Sequence, residues 1–450
     1  MNKEVDLAHD NVLKLLMTLA LPAIASQIVN LLYNLVDRMY IGHIENVGDI
    51  ALTGLGICFP IIMIVSACAS LFGAGGAPRA SIYMGKKDND TAEKILGNCF
   101  IALVIAAISL TVIILLFKEP LLYLFGASEN TITYANDYIS IYALGTIFVE
   151  LTLGMNIFIS AQGFSKVSMM TVMIGAITNI ILDPILIFGF NLGVKGAALA
   201  TIISQALSAI WTIHFLTGNK TILKIKKKNF KLSKKIILPC IALGVAPFVM
   251  QSTESLLMLS FNSSLLKYGS DIAVGTMTIL SSVMQFALLP LQGITQGGQP
   301  IISYNYGARN FNRIKQAFKY QTIACVGYAS IIFILVMFFP GMFASVFTNK
   351  TALIEMASWA LRIYMFMVIL MGVQISCQQT FIALGNAKIS VFLALFRKII
   401  VLIPMIYILP MFISDKVFAI FLAEPISDFI AVSMTVILFY KEYKSLENRI

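Results

Sequence analysis

A chain of 450 residues with 58% apolar and only 12% charged side chains is too oily for a water-soluble globular protein. The formal net charge of +10 would suit a nucleic-acid partner, but the basic residues alternate along the chain instead of forming one patch, so no nucleic-acid binding is expected. No HExxH, Gly-Lys-Ser/Thr loop, paired-cysteine motif or nucleophile elbow occurs, and His9, His43 and His214 are scattered, which argues against a membrane enzyme or an ATP-driven pump.

Stretches of about twenty residues nearly free of charge recur throughout, the length at which a helix crosses a bilayer with every backbone group bonded internally. Twelve such spans are expected, near 12–37, 51–74, 95–117, 133–157, 168–189, 196–216, 236–266, 272–296, 317–340, 355–383, 388–410 and 416–440. The fold class is therefore an all-α polytopic membrane protein. A mixed-charge leader (Lys3, Glu4, Asp6, Asp10) precedes a first span too long for a signal peptide and without a clear cleavage site.

Span 1 carries Gln27, Asn30, Asn34 and Asp37 at spacings of 3, 4 and 3, which places all four on one face. Polar groups in a bilayer turn toward protein or water, so that face points inward. The loop after span 2 is basic (Lys86, Lys87, Lys94). Span 4 contains Glu150, which has no assigned role. In span 5, Asn179 and Asp183 stack four residues apart, and Pro184, which lacks an N–H, is expected to break the helix and free the carbonyl of Ile180 beside the acid. Span 6 adds Thr201. These are hard oxygen donors, suited to an alkali cation, and carboxylates withdrawn from water beside one another can also hold a proton. Asn179 and Thr201 alone read first as glue between helices. Asp37 and Asp183 point to function, because intramembrane carboxylates are costly to keep.

Residues 220–235, KTILKIKKKNFKLSKK, form the longest polar stretch and a basic linker at mid-chain. Beyond it, span 7 carries Gln251 and Glu254, span 8 Gln285, Gln292, Gln296 and Gln299, and span 10 Gln374, Gln378 and Gln379. Amide-rich walls with one acid suit a wet, permissive substrate cavity; interhelical hydrogen bonding is the alternative. Glu424 and Asp428 of span 12 stand four apart, and Arg397 or Lys398 of span 11 is placed to neutralise them in a structural ion-pair cluster. The six cysteines (Cys58, Cys68, Cys99, Cys240, Cys325, Cys377) have no metal or redox spacing and are expected to act as small core residues.

Basic residues concentrate in the even-to-odd loops and the tail (Arg309, Arg313, Lys315, Lys319, Lys441, Lys444, Arg449), with few opposite (Lys118, Lys195, Lys267, Lys350, Lys416). By the positive-inside rule both termini are cytoplasmic.

The two sides of the linker repeat at an offset near 222. GGAPRASIYMG (75–85) matches GGQPIISYNYG (297–307), QGFSKVS (162–168) matches LGNAKIS (384–390), and GDIAL (48–52) matches SDIAV (270–274). A repeat of six spans enters the membrane from the same side each time, which predicts two pseudo-symmetric six-helix lobes around a central cavity, 1–219 and 236–450, that rock against each other about substrate.

The motifs NLVDRMYIG (34–42), NIILDPILIFGF (179–190), GVKGAALATIISQ (193–205), the paired GG-x-P segments and FLAEPISD (421–428) resemble the multidrug and toxic compound extrusion (MATE) family, in its MepA-like bacterial branch, over nearly the whole chain. The resemblance implies export of cationic, amphipathic drugs or dyes in exchange for inward H⁺ or Na⁺, by a multi-pass protein of the cell membrane in contact with its lipids. A monomer without a resident cofactor is expected. The family's N-lobe cation site carries over onto Asp37, Asn179, Asp183 and Thr201, which would also ligate Na⁺ if sodium is the coupling ion. The helix 7 acid of one branch falls on Glu254. That branch's helix 10 aspartate has no counterpart, because residues 362–384 contain no acid. The implied cavity draws on Gln27, Asn30, Asn34, Gln251, Glu254, Gln292, Gln296, Gln374 and Gln378. The nearest rival is a lipid-linked oligosaccharide flippase of the same superfamily, whose pyrophosphate cargo would want an Arg- and Lys-rich cavity; a passive channel is a further alternative.

Overall fold

The structure, a computed structural model, describes residues 5–45, 47–269 and 271–449. Lys3 and Glu4 of the leader and Ser270 of the repeat lie outside them. The described residues form helices α1 (Val12–Gly42), α2 (Gly48–Gly85), α3 (Asn89–Leu124), α4 (Ile132–Leu144), α5 (Thr146–Ala161), α6 (Ser165–Pro184), α7 (Val194–Thr217), α8 (Lys234–Tyr268), α9 (Asp271–Gly307), α10 (Phe311–Phe338), α11 (Pro340–Ser345), α12 (Thr351–Tyr364), α13 (Val368–Ala383), α14 (Ala387–Leu395), α15 (Ile403–Phe412) and α16 (Lys416–Arg449). Among the described residues ten spans are long and apolar enough to cross a membrane, and twelve result when the bent pairs α4–α5 (58°) and α12–α13 (50°) each count as one. Exposed large apolar side chains such as Ile108, Leu116, Ile210, Ile331 and Phe412 form the surface that lipid would cover.

Several helices outrun the apolar stretches that predict them. Span 2 is apolar to about residue 74, yet α2 continues to Gly85; α9 and α16 likewise extend into polar sequence. Hydropathy marks where lipid ends, whereas a helix ends where its backbone finds a cap.

The repeat is written into the backbone at an offset of 222. Lys87 and Arg309 both adopt positive φ (62° and 56°). Directly after them, Asp88 and Asn310 cap α3 and α10 by accepting from the N–H of Thr91 and Arg313. Gly163 and Gly385 share a left-handed conformation (φ 91° and 75°), where a side chain would be strained. The bend at Gly145 between α4 and α5 recurs at Met367 between α12 and α13.

The lobes meet through α1 on α9, α2 on α8 and α2 on α9. The closest backbone approaches lie toward one end. A Cβ on Gly85 would strike the Tyr304 carbonyl, and one on Gly307 the Ile82 carbonyl, a reciprocal pair that obeys the same offset. Further along, Gly244 of α8 lies against Leu71 of α2, and Gly297 and Gly293 of α9 lie against Ala20 and Ile24 of α1. All these positions belong to the helix halves nearest the N-terminus, the linker and the C-terminal tail. The opposite halves carry exposed apolar residues, among them Leu32, Leu35, Met39, Phe59, Leu256 and Leu259. The close approaches between the lobes thus lie on the side of the chain ends, and the exposed side chains of α1, α2 and α8 lie on the other.

The linker does not hang free. Gln162 Oε1 accepts from Thr221 Oγ1 (2.9 Å) and from the N–H of Leu223 (2.7 Å), Asn98 Oδ1 accepts from the N–H of Ser233 (2.7 Å), and Lys226 pairs with Glu93 (2.6 Å). Phe230 stacks on Phe100 at 5.2 Å. These bonds fasten the basic segment to α3 and the end of α5.

Candidate functional site

The first cluster forms where α1, α6, α4 and α7 converge. Asp37 and Asp183 are buried side by side, their carboxylates within hydrogen-bonding reach of each other. Asn179, one turn before Asp183 on α6, donates its Nδ2 to Asp183 Oδ1 at 3.2 Å. Asp37 Oδ1, Asp183 Oδ2 and Asn179 Oδ1 then remain buried without a hydrogen-bond partner. Two carboxylates repel each other at such an approach and neither can donate, so a proton or a cation between them resolves the geometry. Thr201, half-buried on α7, lies beside the phenol of Tyr138.

Pro184 does not break the helix. The chain widens into a π-helical segment, Ile185–Gly189, so the span continues past the proline and Asp183 stays buried. A π-turn drops the regular i→i−4 pattern locally, which accommodates a residue that cannot donate to it.

Two residues at this cluster escaped sequence reasoning. Tyr33, about one turn before Asp37 and therefore on its face, lies within electrostatic reach of both Asp37 and Asp183; the i,i+4 spacing was available to find it. Tyr138 also senses Asp37, but nothing in the local pattern of α4 distinguishes it from a packing tyrosine.

The cavity residues divide into groups. Gln251 of α8 donates to Ser70 Oγ of α2 at 2.8 Å, a bond between the lobes at the margin of their closed contact. Glu254, one turn further, is exposed, as are Gln292 and Gln296 of α9; polar side chains exposed at mid-helix on interface helices belong to the gap between the lobes. Gln27 and Asn30 are half-buried, while exposed Asn34 donates to the carbonyl of Asn30 in its own helix (2.6 Å). Gln374 and Gln378 are buried within the second lobe. Gln374 donates to Gln378 Oε1 (3.5 Å), and Gln378 donates to Met250 Sδ (3.3 Å). The structure thus brings Asp37, Asn179 and Asp183 together and Gln251, Glu254, Gln292 and Gln296 near the gap, and leaves Gln374 and Gln378 inside packing.

The second charged cluster lies between α8, α16 and a π-helical segment, Phe396–Leu402, that joins α14 to α15. Arg397 takes both carboxylates of α16, Nη2 to Glu424 at 2.9 Å and Nε to Asp428 at 2.8 Å. Its neighbour Lys398 turns instead to Glu254 and to the carbonyl of Met250 (2.7 Å). Of the two basic residues that sequence offered as partners for the α16 acids, Arg397 alone fills that role.

The family model described as MatE matches residues 22–185 and 247–408, most of the chain and both lobes. The chain belongs to the MatE family. Among curated relatives, it is 26% identical over 404 residues to the multidrug export protein MepA of Staphylococcus aureus (strain MRSA252), covering 88% of this chain and 87% of that protein. It is 25% identical over 426 residues to MepA of Staphylococcus haemolyticus (strain JCSC1435), covering 94% and 93%. A solved multidrug resistance MATE transporter of the MOP superfamily in an outward-facing conformation superposes with a TM-score of 0.92 at 22% identity, over 99% of each chain, which establishes the shared fold. This MatE protein is a multi-pass membrane transporter of the multidrug efflux family and not an enzyme.

Proposed function

We propose that this MatE protein is a secondary antiporter that exports cationic amphipathic compounds in exchange for inward H⁺ or Na⁺ by alternating access. The observation that carries the proposal is the Asp37–Asp183 pair, two buried carboxylates in reach of each other with unpartnered oxygens around them. Asp37, Asp183, Asn179 and Thr201 supply hard oxygens for the coupling ion, with no resident cofactor. Glu254 and the exposed glutamines supply a mildly acidic, hydrogen-bonding wall for cargo. Residues 1–219 and 236–450 act as the two lobes, joined by the cytoplasmic linker 220–235, with both termini in the cytoplasm and the parted side facing outward.

Gln27, near the closed contact, and Asp37 are ten residues apart on α1, about 15 Å of helix at 1.5 Å per residue. The polar face of α1 therefore runs from the closed contact to the ion site and connects the two. Expelling one positive charge against about 100 mV costs about 2.3 kcal/mol, and inward movement of one cation per cargo cancels that cost.

The polarity of the interior disfavours a polyanionic lipid-linked cargo. Arg397 and Lys398, the basic residues of the second lobe's interior cluster, are both engaged by carboxylates. The test is expression in a host stripped of its own pumps: tolerance to ethidium-like dyes should rise, and protection limited to anionic compounds would refute the proposal.

A further inference from the structure

A groove of about 570 Å³ opens on the second lobe between the ends of α10 and α12 and the first half of α16. Phe366 and Met367, at the 50° bend between α12 and α13, line one side, and Leu422, Ile426 and Phe429 of α16 line the other. Their spacing of 4 and 3 puts these α16 residues on one face, opposite Glu424 and Asp428, which hold Arg397. The lining is apolar except for Arg362, in the last turn of α12. Arg362 is exposed, and its Nε donates to the carbonyl of Met337 (3.0 Å) near the end of α10. Among the described residues no ion pair engages the guanidinium, so the four N–H groups of Nη1 and Nη2 remain available. The one acid of its own helix, Glu355, stands seven residues back, about 10 Å along the axis. At the start of α16, Asp415 is occupied in capping that helix, accepting from the N–H of Phe418 (3.0 Å). Phe338, Phe339 and Met342, which follow Met337, are exposed, so the guanidinium stands at a level that lipid covers.

We propose that this groove holds one anionic phospholipid from the leaflet opposite the chain ends, with its phosphate on the Nη groups of Arg362 and one acyl chain along α16. The planar guanidinium fork matches two phosphate oxygens, and a basic pocket between membrane helices suits an anionic headgroup. The length agrees. Phe418 and Phe429, both in the lining, lie eleven residues apart on α16, about 16 Å at 1.5 Å per residue. One leaflet supplies about 15 Å of hydrocarbon, half of a core about 30 Å thick. A free anion would use Arg362 and leave the apolar walls bare, and a zwitterionic lipid brings an ammonium that competes for its own phosphate. At the repeat offset Arg362 falls on Ser140, where Lys118 Nζ already donates to the hydroxyl at 2.9 Å, so the uncommitted cation belongs to the second lobe. Bound there, the lipid braces the α12–α13 bend against α16, the helix that carries Glu424 and Asp428. The inference does not depend on cargo or coupling ion.

Native mass spectrometry of the full chain in a neutral detergent tests it, with phosphatidylglycerol and phosphatidylcholine of the same acyl chains titrated separately. The wild type should retain one phosphatidylglycerol in preference to phosphatidylcholine. Arg362→Gln should weaken phosphatidylglycerol retention by about tenfold, the worth of one charge-assisted hydrogen bond, and leave phosphatidylcholine retention unchanged. Ile426→Trp, which fills the groove with Arg362 intact, should weaken retention of phosphatidylglycerol and carries the test if Arg362→Gln fails to fold. Thermal unfolding supplies the remaining arm: phosphatidylglycerol should stabilise the wild type, and inorganic phosphate should not. Equal retention of the two lipids by the wild type, or phosphatidylglycerol retention unchanged in either variant, would overturn the proposal. An Arg362 that only caps α10 would give a less stable Arg362→Gln with unaltered lipid preference, which also overturns it. Stabilisation by inorganic phosphate equal to that by phosphatidylglycerol would reassign Arg362 to a free anion and refute the lipid site.

Discussion

The ammonium of Lys398 is held by the carboxylate of Glu254 and the carbonyl of Met250, so a buried cation of the protein itself occupies the acid that faces the gap. The lysine side chain is 6% exposed and the glutamate 60% exposed. A cationic cargo arriving from the gap meets the accessible partner and competes with Lys398 for it. Glu254→Gln leaves a buried ammonium with the Met250 carbonyl alone. Loss of one partner of a fully buried pair costs about 3–5 kcal/mol, and water on the glutamate side should reduce this to about 1–2 kcal/mol. Lys398→Met, which frees Glu254, should leave stability nearly unchanged and tighten dye binding. Thermal unfolding in detergent and dye fluorescence titration measure both; weaker dye binding in Lys398→Met would contradict the competition.

Arg397 is the heavier structural element. Its guanidinium satisfies Glu424 and Asp428, both buried, in a forked geometry that lysine cannot reproduce. Arg397→Met should destabilise the protein by about 3–5 kcal/mol, with loss of monodisperse material on size-exclusion chromatography. Adding Glu424→Gln and Asp428→Asn to Arg397→Met should recover most of the folded yield. Arg397→Lys that behaves as wild type would show that the fork does not matter.

The sequence exposes one of the two charged clusters better than the other, for a geometric reason. Asn179 and Asp183 lie on a regular helix, so spacing alone stacks them, and Asp37 follows from the polar stripe of α1. Arg397 and Lys398 are adjacent, and on an ideal helix they point about 100° apart with no means of ranking their partners. The π-helical segment Phe396–Leu402 changes the local register, and only the structure shows that one turns to α16 and the other to α8. The repeat was legible because glycines and caps that govern the backbone recur at 222. The docking of the linker was not, since its partners, Gln162 at the end of α5 and Asn98 inside α3, look like ordinary polar residues of helices.

The reciprocal contacts of Gly85 with Tyr304 and Gly307 with Ile82 predict a conformational handle. Gly85→Ala places a methyl group against backbone, which cannot swing aside as a side chain would. Spin labels at the exposed, symmetry-related positions Lys86 and Ala308 should report a short distance in the parent and an added longer population in Gly85→Ala. Identical distance distributions would show that this contact does not hold the lobes closed.

Orientation is open to thiol labelling. Asn229 is buried against Gly97, so a cysteine there would resist reagents on either side of the membrane, whereas Lys231 is exposed. In a background without the six native cysteines, Lys231→Cys should be protected in intact cells and react after permeabilisation. Glu129→Cys, exposed between α3 and α4, should react in intact cells. The reverse pattern would invert the topology.

The central claim is that ion coupling resides in the Asp37–Asp183 pair, in one lobe alone. The positions at the repeat offset carry no acid: Asp183 falls on Met405, and at 224 Asp37 falls on Phe261. Two acids that share one proton or cation act as a unit, so Asp37→Asn and Asp183→Asn should each abolish coupling, and the double variant should cost little more than either. The most direct measurement is cargo transport in proteoliposomes, with a pH gradient and a Na⁺ gradient imposed separately, on Asp183→Asn and Glu254→Gln beside the parent. The account predicts that the gradient that drives the parent fails to drive Asp183→Asn and still drives Glu254→Gln, with altered cargo affinity. Gradient-driven transport that persists in Asp183→Asn and vanishes in Glu254→Gln would contradict it.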